Sequence, residues 1–240
     1  MGGKFFMCGA ISEIIREKKT PEQTIYVEPF CGMCSVGLKL MGMNLFDEYR
    51  FSDVNEEVIM FWKAIQSGWI PKACVKSIDD YESWRYCPSC PQKTFIGYVY
   101  ALRSVFFDKC ILLVPTSRRS GCKPGRPLIL KRLRDTQKLI QAHKVSFQVQ
   151  SYTDIVPTEN MTIYCDPPYL MSNKSSRISK FLTEFNHDEF WNQMETWAGI
   201  SWVYVSECDA PDGWKRIYSR RLFSPFMDVR KKERVDSLWV

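Results

Sequence analysis

The hydrophobic positions change period along the chain, and the changes outline an alternating α/β protein. Ile11, Ile14 and Ile15 recur at helical spacing within residues 11–19. TIYVEPF (24–30) reads as a short buried strand ending at Pro29, and CSVGLKLMG (34–42) starts a helix. YRFSD (49–53) is a second strand, after which Asn55 caps a helix over EEVIMFWKAIQ that stops at Ser67-Gly68. Strand, helix, strand, helix is the opening of a parallel sheet. From 70 to 128 the rhythm is lost. That stretch is rich in Pro, Gly, Cys and aromatics, has no clear period, and reads as an inserted subdomain. The pattern resumes with a helix near 126–142 and strands VSFQV (145–149) and MTIYC (161–165). HDEFWNQMETWA (187–198) is a further helix and ISWVYVSE (200–207) a further buried strand, while WKRIYS and the terminal DSLWV read as edge strands.

Composition narrows the class. With 240 residues, 45% hydrophobic and 14% aromatic, the chain can bury a sizeable core, which excludes disorder and collagen. No long uncharged apolar run is present, so no membrane span is expected. MGGKFFMCGAISEIIREKK lacks a small-residue cleavage site, against a signal peptide, and Phe6 stands where a myristoylation signal needs Ser or Thr. The ten cysteines are scattered, which suits reduced thiols inside a cell, in the cytoplasm or nucleus, better than a disulfide framework.

The charge is unevenly placed. The net charge is +6, yet residues 103–144 alone carry +9, leaving −3 for the rest. A polyanion is the natural partner of such a segment, nucleic acid being the commonest. Residues 131–138 (KRLRDTQK) also suit a solvated helix face. TSRRSGCKPGRP (116–127) is instead a Gly- and Pro-broken loop from which Arg118, Arg119, Lys123 and Arg126 can reach outward.

Two motifs carry candidate chemistry. EPFCGMCSVG (28–37) is a strand end, a glycine turn and a helix start, where Gly32 admits close backbone approach. Asp53 follows at the tip of the next strand, 21 positions after Gly32, a spacing that suits a ribose diol but also an ordinary structural turn. DPPY (166–169) directly follows the buried strand MTIYC. Pro167 and Pro168 remove two N–H donors and leave the Asp166 carboxylate and the Pro167 carbonyl as rigid acceptors, with Tyr169 adding an aromatic face. An exocyclic amine on a purine is a poor nucleophile because its lone pair is delocalised. Two acceptors on its hydrogens draw the nitrogen towards sp³, and the ring stacks on a base taken out of the duplex.

With these motifs in order, the chain resembles the Dam-type DNA adenine-N6 methyltransferases, especially their short phage and viral versions. The resemblance runs through GGK (2–4), EPFCGMCSVGL, SDVNEEVIMFWKAIQSGW, SYTD (151–154), IYCDPPY, FNHDEFW (185–191) and VYVSECDAP. It implies an α/β fold, a Rossmann-like, seven-stranded, mostly parallel sheet binding S-adenosylmethionine. Residues 1–69 and 129–240 would form the catalytic domain, and 70–128 an inserted DNA target-recognition subdomain. By matching position, Gly3 and Lys4 would lie near the cofactor, Phe30 and Gly32 at its methionine end, Asp53 at its ribose and Tyr152 beside its adenine. Asp166 would bridge the cofactor side and the target amine, with Pro167, Pro168 and Tyr169 completing the catalytic motif. Arg118, Arg119, Lys123 and Arg126 would contact double-stranded DNA. The family turn usually reads Phe-x-Gly-x-Gly, and Cys34 replaces its last glycine. A monomer or homodimer that meets no membrane is implied, with a separate cognate restriction endonuclease as a further partner.

Other readings compete. The substrate could be RNA adenine, or the chain could be a non-catalytic nucleic-acid binder. Cys31-Gly-Met-Cys34 has the spacing of a redox motif, though DPPY and the basic insert would then have no role. Cys87-Pro-Ser-Cys90 could be half a zinc site, but Cys110 and Cys122 lack the spacing of a second knuckle, so no metal is assigned. His143 and His187 sit near helix ends and are not read as catalytic.

Overall fold

The computed structural model describes residues 7–72, 75, 77–101, 106–107, 126–168, 185–222 and 234–240. Helix α1 (Cys8–Lys18) leads into β1 (Ile25–Glu28), α2 (Ser35–Gly42), β2 (Glu48–Asp53) and α3 (Glu56–Gln66). Helices α4 (Ile78–Arg85), α5 (Pro91–Val99) and α6 (Arg126–Gln141) precede β3 (Lys144–Val149) and β4 (Met161–Cys165). Helix α7 (His187–Ala198) then leads to β5 (Trp202–Glu207), β6 (Arg216–Leu222) and β7 (Arg234–Trp239). The strands form one sheet in the order β3-β2-β1-β4-β5-β7-β6. The first five run parallel, and β7 pairs antiparallel with both β5 and β6. This is a Rossmann-like α/β sheet, as expected from the alternating pattern.

Side chains alternate between two faces of the sheet. Tyr26, Tyr49, Phe51, Tyr164 and Tyr204 point into one apolar cluster, shared with α1, α2, α3, α5 and α6. Val27, Ile163, Cys165, Val203 and Val205 point into the other, which Phe190, Met194 and Trp197 of α7 cover. The first face is unusual in carrying hydroxyls, and buried tyrosines need partners for them. Tyr26 donates to Glu28 (2.9 Å), Tyr49 donates to the Leu40 carbonyl (3.3 Å), and Tyr164 pairs with Ser206 (2.9 Å).

The stretch after residue 70 is more regular than its sequence suggests. Ser77 caps α4 and Pro91 opens α5. Helix α4 buries only Tyr81, so its eight residues carry no readable apolar stripe. Helix α5 packs against α3, and both helices pack into the first apolar cluster rather than apart from it. Thr94 donates to the Glu57 carbonyl (3.2 Å), Lys93 pairs with Glu57 (3.5 Å), and Tyr81, Phe95, Ile96 and Phe107 join the first cluster.

DSLWV is not an edge strand. Strand β7 lies between β5 and β6, and Asp236, Ser237, Leu238 and Trp239 are all buried. Its polar residues hid an interior position, whereas β6 does form the edge. Among the described residues, no helix is long and apolar enough to cross a membrane.

The cap of α3 offers a local check. The Asn55 side chain accepts from Glu57 N (3.0 Å), and Asp53 accepts from Asn55 N (2.9 Å). Asn55→Ala should cost about 1 kcal/mol in urea unfolding, the usual cost of losing an N-cap. An unchanged midpoint would mean that this bond adds nothing to the cap.

Candidate active site

Strand order reverses between β1 and β4. From β1 the chain crosses to β2, while β4 leads on to β5 on the opposite side. A crevice outside the carboxyl ends of the strands forms at such a point. Three acidic residues arrive there: Glu28 ends β1, Asp53 ends β2, and Asp166 follows β4.

The turn between β1 and α2 is tied to β2. Cys31 N donates to the Ser52 carbonyl (3.0 Å) and Gly32 N to Asp53 Oδ2 (3.0 Å). Trp62 Nε1 donates to the Gly32 carbonyl (2.8 Å), so α3 holds the turn from behind. Gly32 has φ +43°, and nothing lies within 4 Å of where its Cβ would be, so the space beside it is open. Cys34 also adopts the left-handed region, with φ +52°. That conformation favours glycine, which accounts for the residue usual at this position in the resembled family. The Cys34 side chain is buried in the first apolar cluster.

Asp53 holds the loop with both oxygens, Oδ1 on Asn55 N and Oδ2 on Gly32 N. Each carboxylate oxygen has a second lone pair, which leaves capacity to accept from a vicinal diol. Burial raises its pKa, and the two backbone donors oppose that rise.

The resemblance assigns no role to Glu28, the acid of EPFCG. It is 3% exposed. Its Oε2 accepts from Tyr26 OH (2.9 Å) and from Gly37 N (3.0 Å), in the first turn of α2. The carboxyl therefore occupies the helix N-terminus where nucleotide-binding turns place a phosphate. Burial pushes its pKa up to about 8, Tyr26 and Gly37 lower it, and Asp166 and Asp53 raise it further. The readable signal was a charged residue ending an otherwise apolar strand. Gly37 makes the contact feasible, since a Cβ there would overlap the Phe51 ring and lie 2.7 Å from Glu28 Oε2.

An aromatic group borders the same edge. Phe30 lies 5.3 Å from Tyr152, 5.8 Å from Phe185 and 5.8 Å from Phe190, centroid to centroid. Phe30 and Tyr152, which the resemblance puts at opposite ends of a cofactor, thus touch one another. Phe185 and Phe190 complete the group and had no assigned role. Asp166 is partly exposed and Pro167 buried beside it.

Gly3, Lys4, Tyr169, Arg118, Arg119 and Lys123 lie outside the described residues, and Arg126 is the first residue of α6. Burial raises the pKa of both Cys31 and Cys34, and at Cys31 it outweighs the opposing bond from Cys34. A reactive dithiol needs the opposite shift. Among the described residues no group of three His, Cys, Asp or Glu side chains could hold a metal ion. His143 bonds the Leu139 carbonyl (2.8 Å) and Asn44 (3.2 Å), and His187 stacks edge-on with Phe185 at 4.9 Å.

Residues 1–89 match the family model of the D12 class N6 adenine-specific DNA methyltransferases. No curated protein matches the chain. Solved structures similar to this chain include two described as methylating enzymes. One is HI0767 of Haemophilus influenzae, named as a candidate methylase, with 10% identity and a TM-score of 0.42 over 97% of this chain and 86% of that one. The other is the rRNA methyltransferase AviRa of Streptomyces viridochromogenes, with 9% identity and a TM-score of 0.46 over 99% and 85%.

Two predictions test the Glu28–Gly37 contact. Gly37→Ala should destabilise the fold by about 1–3 kcal/mol despite the better helix propensity of Ala, because the ring and carboxyl must give way. A wild-type-like denaturation midpoint would contradict that. The second concerns pH. Between the ordinary value of 4.5 and about 8, the folded chain keeps a Glu28 proton that the unfolded chain has lost. The Glu28 contribution to stability is therefore present below that window and falls as pH rises through it. Glu28→Gln keeps an acceptor for Tyr26 and Gly37 and removes the titration. The variant should gain stability relative to wild type as pH rises across the window, read by urea unfolding; a constant gap would show that Glu28 does not titrate there.

Proposed function

We propose that this chain is an S-adenosylmethionine-dependent methyltransferase acting on N6 of adenine in DNA, of the Dam type. The observation that carries the reading is that the Asp166-Pro167 end of β4 lies beside the end of β1 that leads into the Gly32–Asp53 turn, at the switch point of the sheet. The match of residues 1–89 to an adenine-N6 DNA methyltransferase family supports it.

The residues present fit the cofactor. S-adenosylmethionine has a ribose diol and a positive sulfur but no phosphate. Asp53 has acceptor capacity for the diol, the space beside Gly32 is open, and Glu28 fills the helix N-terminus that a phosphate would need. Phe30 and Tyr152 offer apolar ring surface at the same edge. When bound, the cofactor supplies a methyl group on a sulfur that leaves as a neutral thioether.

Asp166 and the Pro167 carbonyl accept the two hydrogens of the adenine amine. They orient its lone pair and stabilise the positive charge that develops on nitrogen. The alkylated amine is strongly acidic, so its proton departs without a strong base. Tyr169 and the basic residues Arg118, Arg119, Lys123 and Arg126 take the base and the DNA backbone in this reading, with 70–128 as the target-recognition insert.

The test is transfer of labelled methyl from S-adenosylmethionine to unmethylated duplex DNA, followed by nucleoside analysis, with an RNA arm alongside. N6-methyladenine in DNA should form with wild type and fall by at least about a hundredfold with Asp166→Ala. Product confined to RNA would reassign the substrate. Absence of transfer to either, with nucleic acid still bound, would make the chain a binder only.

A further inference from the structure

The three acids at the sheet edge are not equivalent, and Glu28 is the one without a role in methyl transfer. Its position follows from the strand order. Strand β1 lies between β2 and β4, so a ligand reaching from Asp53 at the end of β2 to Asp166 after β4 must cross the end of β1. The last residue of β1 is Glu28. Its carboxyl is fixed rather than mobile, gripped by Tyr26 OH and Gly37 N and walled by the Phe51 ring.

The surroundings decide its charge. Tyr26 faces Glu28 along its own strand, Asp53 from β2, and Tyr164 and Asp166 from the β4 side. The Cys31 and Cys34 thiols face it from the turn, and Cys8 from α1, with the exposed Lys39 of α2 acting on Cys8. The charged groups that act most strongly on Glu28 are both acidic, and with burial they hold it protonated at neutral pH, its pKa near 8. A cation placed among these carboxyls reverses that balance, because it favours the charged form of each.

We propose that Glu28 reports the charge on the cofactor sulfur: it gives up its proton to solvent when the sulfonium cofactor binds and keeps it when the neutral thioether product binds. This rests on the methyltransferase reading above. It makes Glu28 a specificity residue, favouring the methyl donor over the spent product, without contact with the transferred methyl. Carboxylate and carboxylic acid both accept from Tyr26 and Gly37, so the change needs no rearrangement of the fold.

The experiment is calorimetric titration of the full chain with S-adenosylmethionine and with S-adenosylhomocysteine, in buffers of different ionisation heat. The two ligands share the nucleoside and the amino acid. The sulfonium acidifies the nearby ammonium of the free methyl donor, so the solution titration of each free ligand is measured alongside and subtracted. S-adenosylmethionine should release more protons at pH 7, by a difference approaching one. The ratio of the two affinities should rise, by up to about tenfold per pH unit, from about pH 6 to about pH 8 and then level off. Glu28→Gln, its fold checked by circular dichroism, should abolish both effects. If the variant does not fold, the wild-type pH series, with the free-ligand titrations subtracted, remains the test. Equal proton release, a flat ratio, or a difference that persists in a folded Glu28→Gln overturns the role of Glu28 and leaves methyl transfer intact. Failure of both ligands to bind overturns the methyltransferase reading and this inference with it.

Discussion

A carboxyl buried under the first turn of a helix organises the edge of this sheet. Glu28 sits at the end of β1, where an acid would ordinarily be costly to bury. Two donors reduce that cost, the Tyr26 hydroxyl from the same strand and the Gly37 amide from α2. The contact sets the approach of α2 to the sheet, because only glycine at 37 lets the Phe51 ring and the carboxyl come so close. Helix α2 in turn fixes the Cys31–Cys34 turn at its N-terminus, and that turn is bolted to β2 through Ser52 and Asp53. Side chains from β1, β2 and α3 and a backbone amide of α2 thus meet in one network, and Trp62 closes it by donating to Gly32.

The turn also shows how a family pattern is met by a different residue. Gly32 and Cys34 both have left-handed backbone, with φ of +43° and +52°. Glycine is indifferent to that region, whereas a side chain there costs of order 1 kcal/mol. Cys34 recovers part of the cost by burying its side chain in the cluster below the turn. Its position therefore has a packing account, and the raised thiol pKa removes the reason to treat the pair with Cys31 as a redox centre.

Most of the sheet was legible because its central strands β4 and β5 are buried on both faces and its longer helices show a period. Helix α3 is the clearest case: Asn55 and the Ser67-Gly68 stop bracket it as the sequence indicated. Helix α4 escaped because eight residues with one buried side chain carry no stripe. Strand β7 was misplaced because its centre reads Asp-Ser, polar residues that belong inside only once β6 covers them. Asp53 and Asp166 were legible as acids at strand ends. Glu28 was equally visible but looked like a strand terminator, since the glycine that makes its burial feasible is nine positions away and is recognised only in space.

Charge is divided in a way that suits the proposed reaction. Residues 103–144 carry +9 and the remainder −3, and the remainder includes the three acids at the sheet edge. A polyanionic substrate and a cationic cofactor need surfaces of opposite sign, and these must be adjacent without neutralising each other. Burial of Glu28 and Asp53 keeps the acidic surface short-ranged, because a protonated Glu28 adds no field until a cation arrives. An edge lined by three ionised carboxylates would repel the phosphates flanking a target base. An edge whose central acid is neutral repels them less, and in the proposed reaction the added negative charge appears only together with a positive sulfur that offsets it.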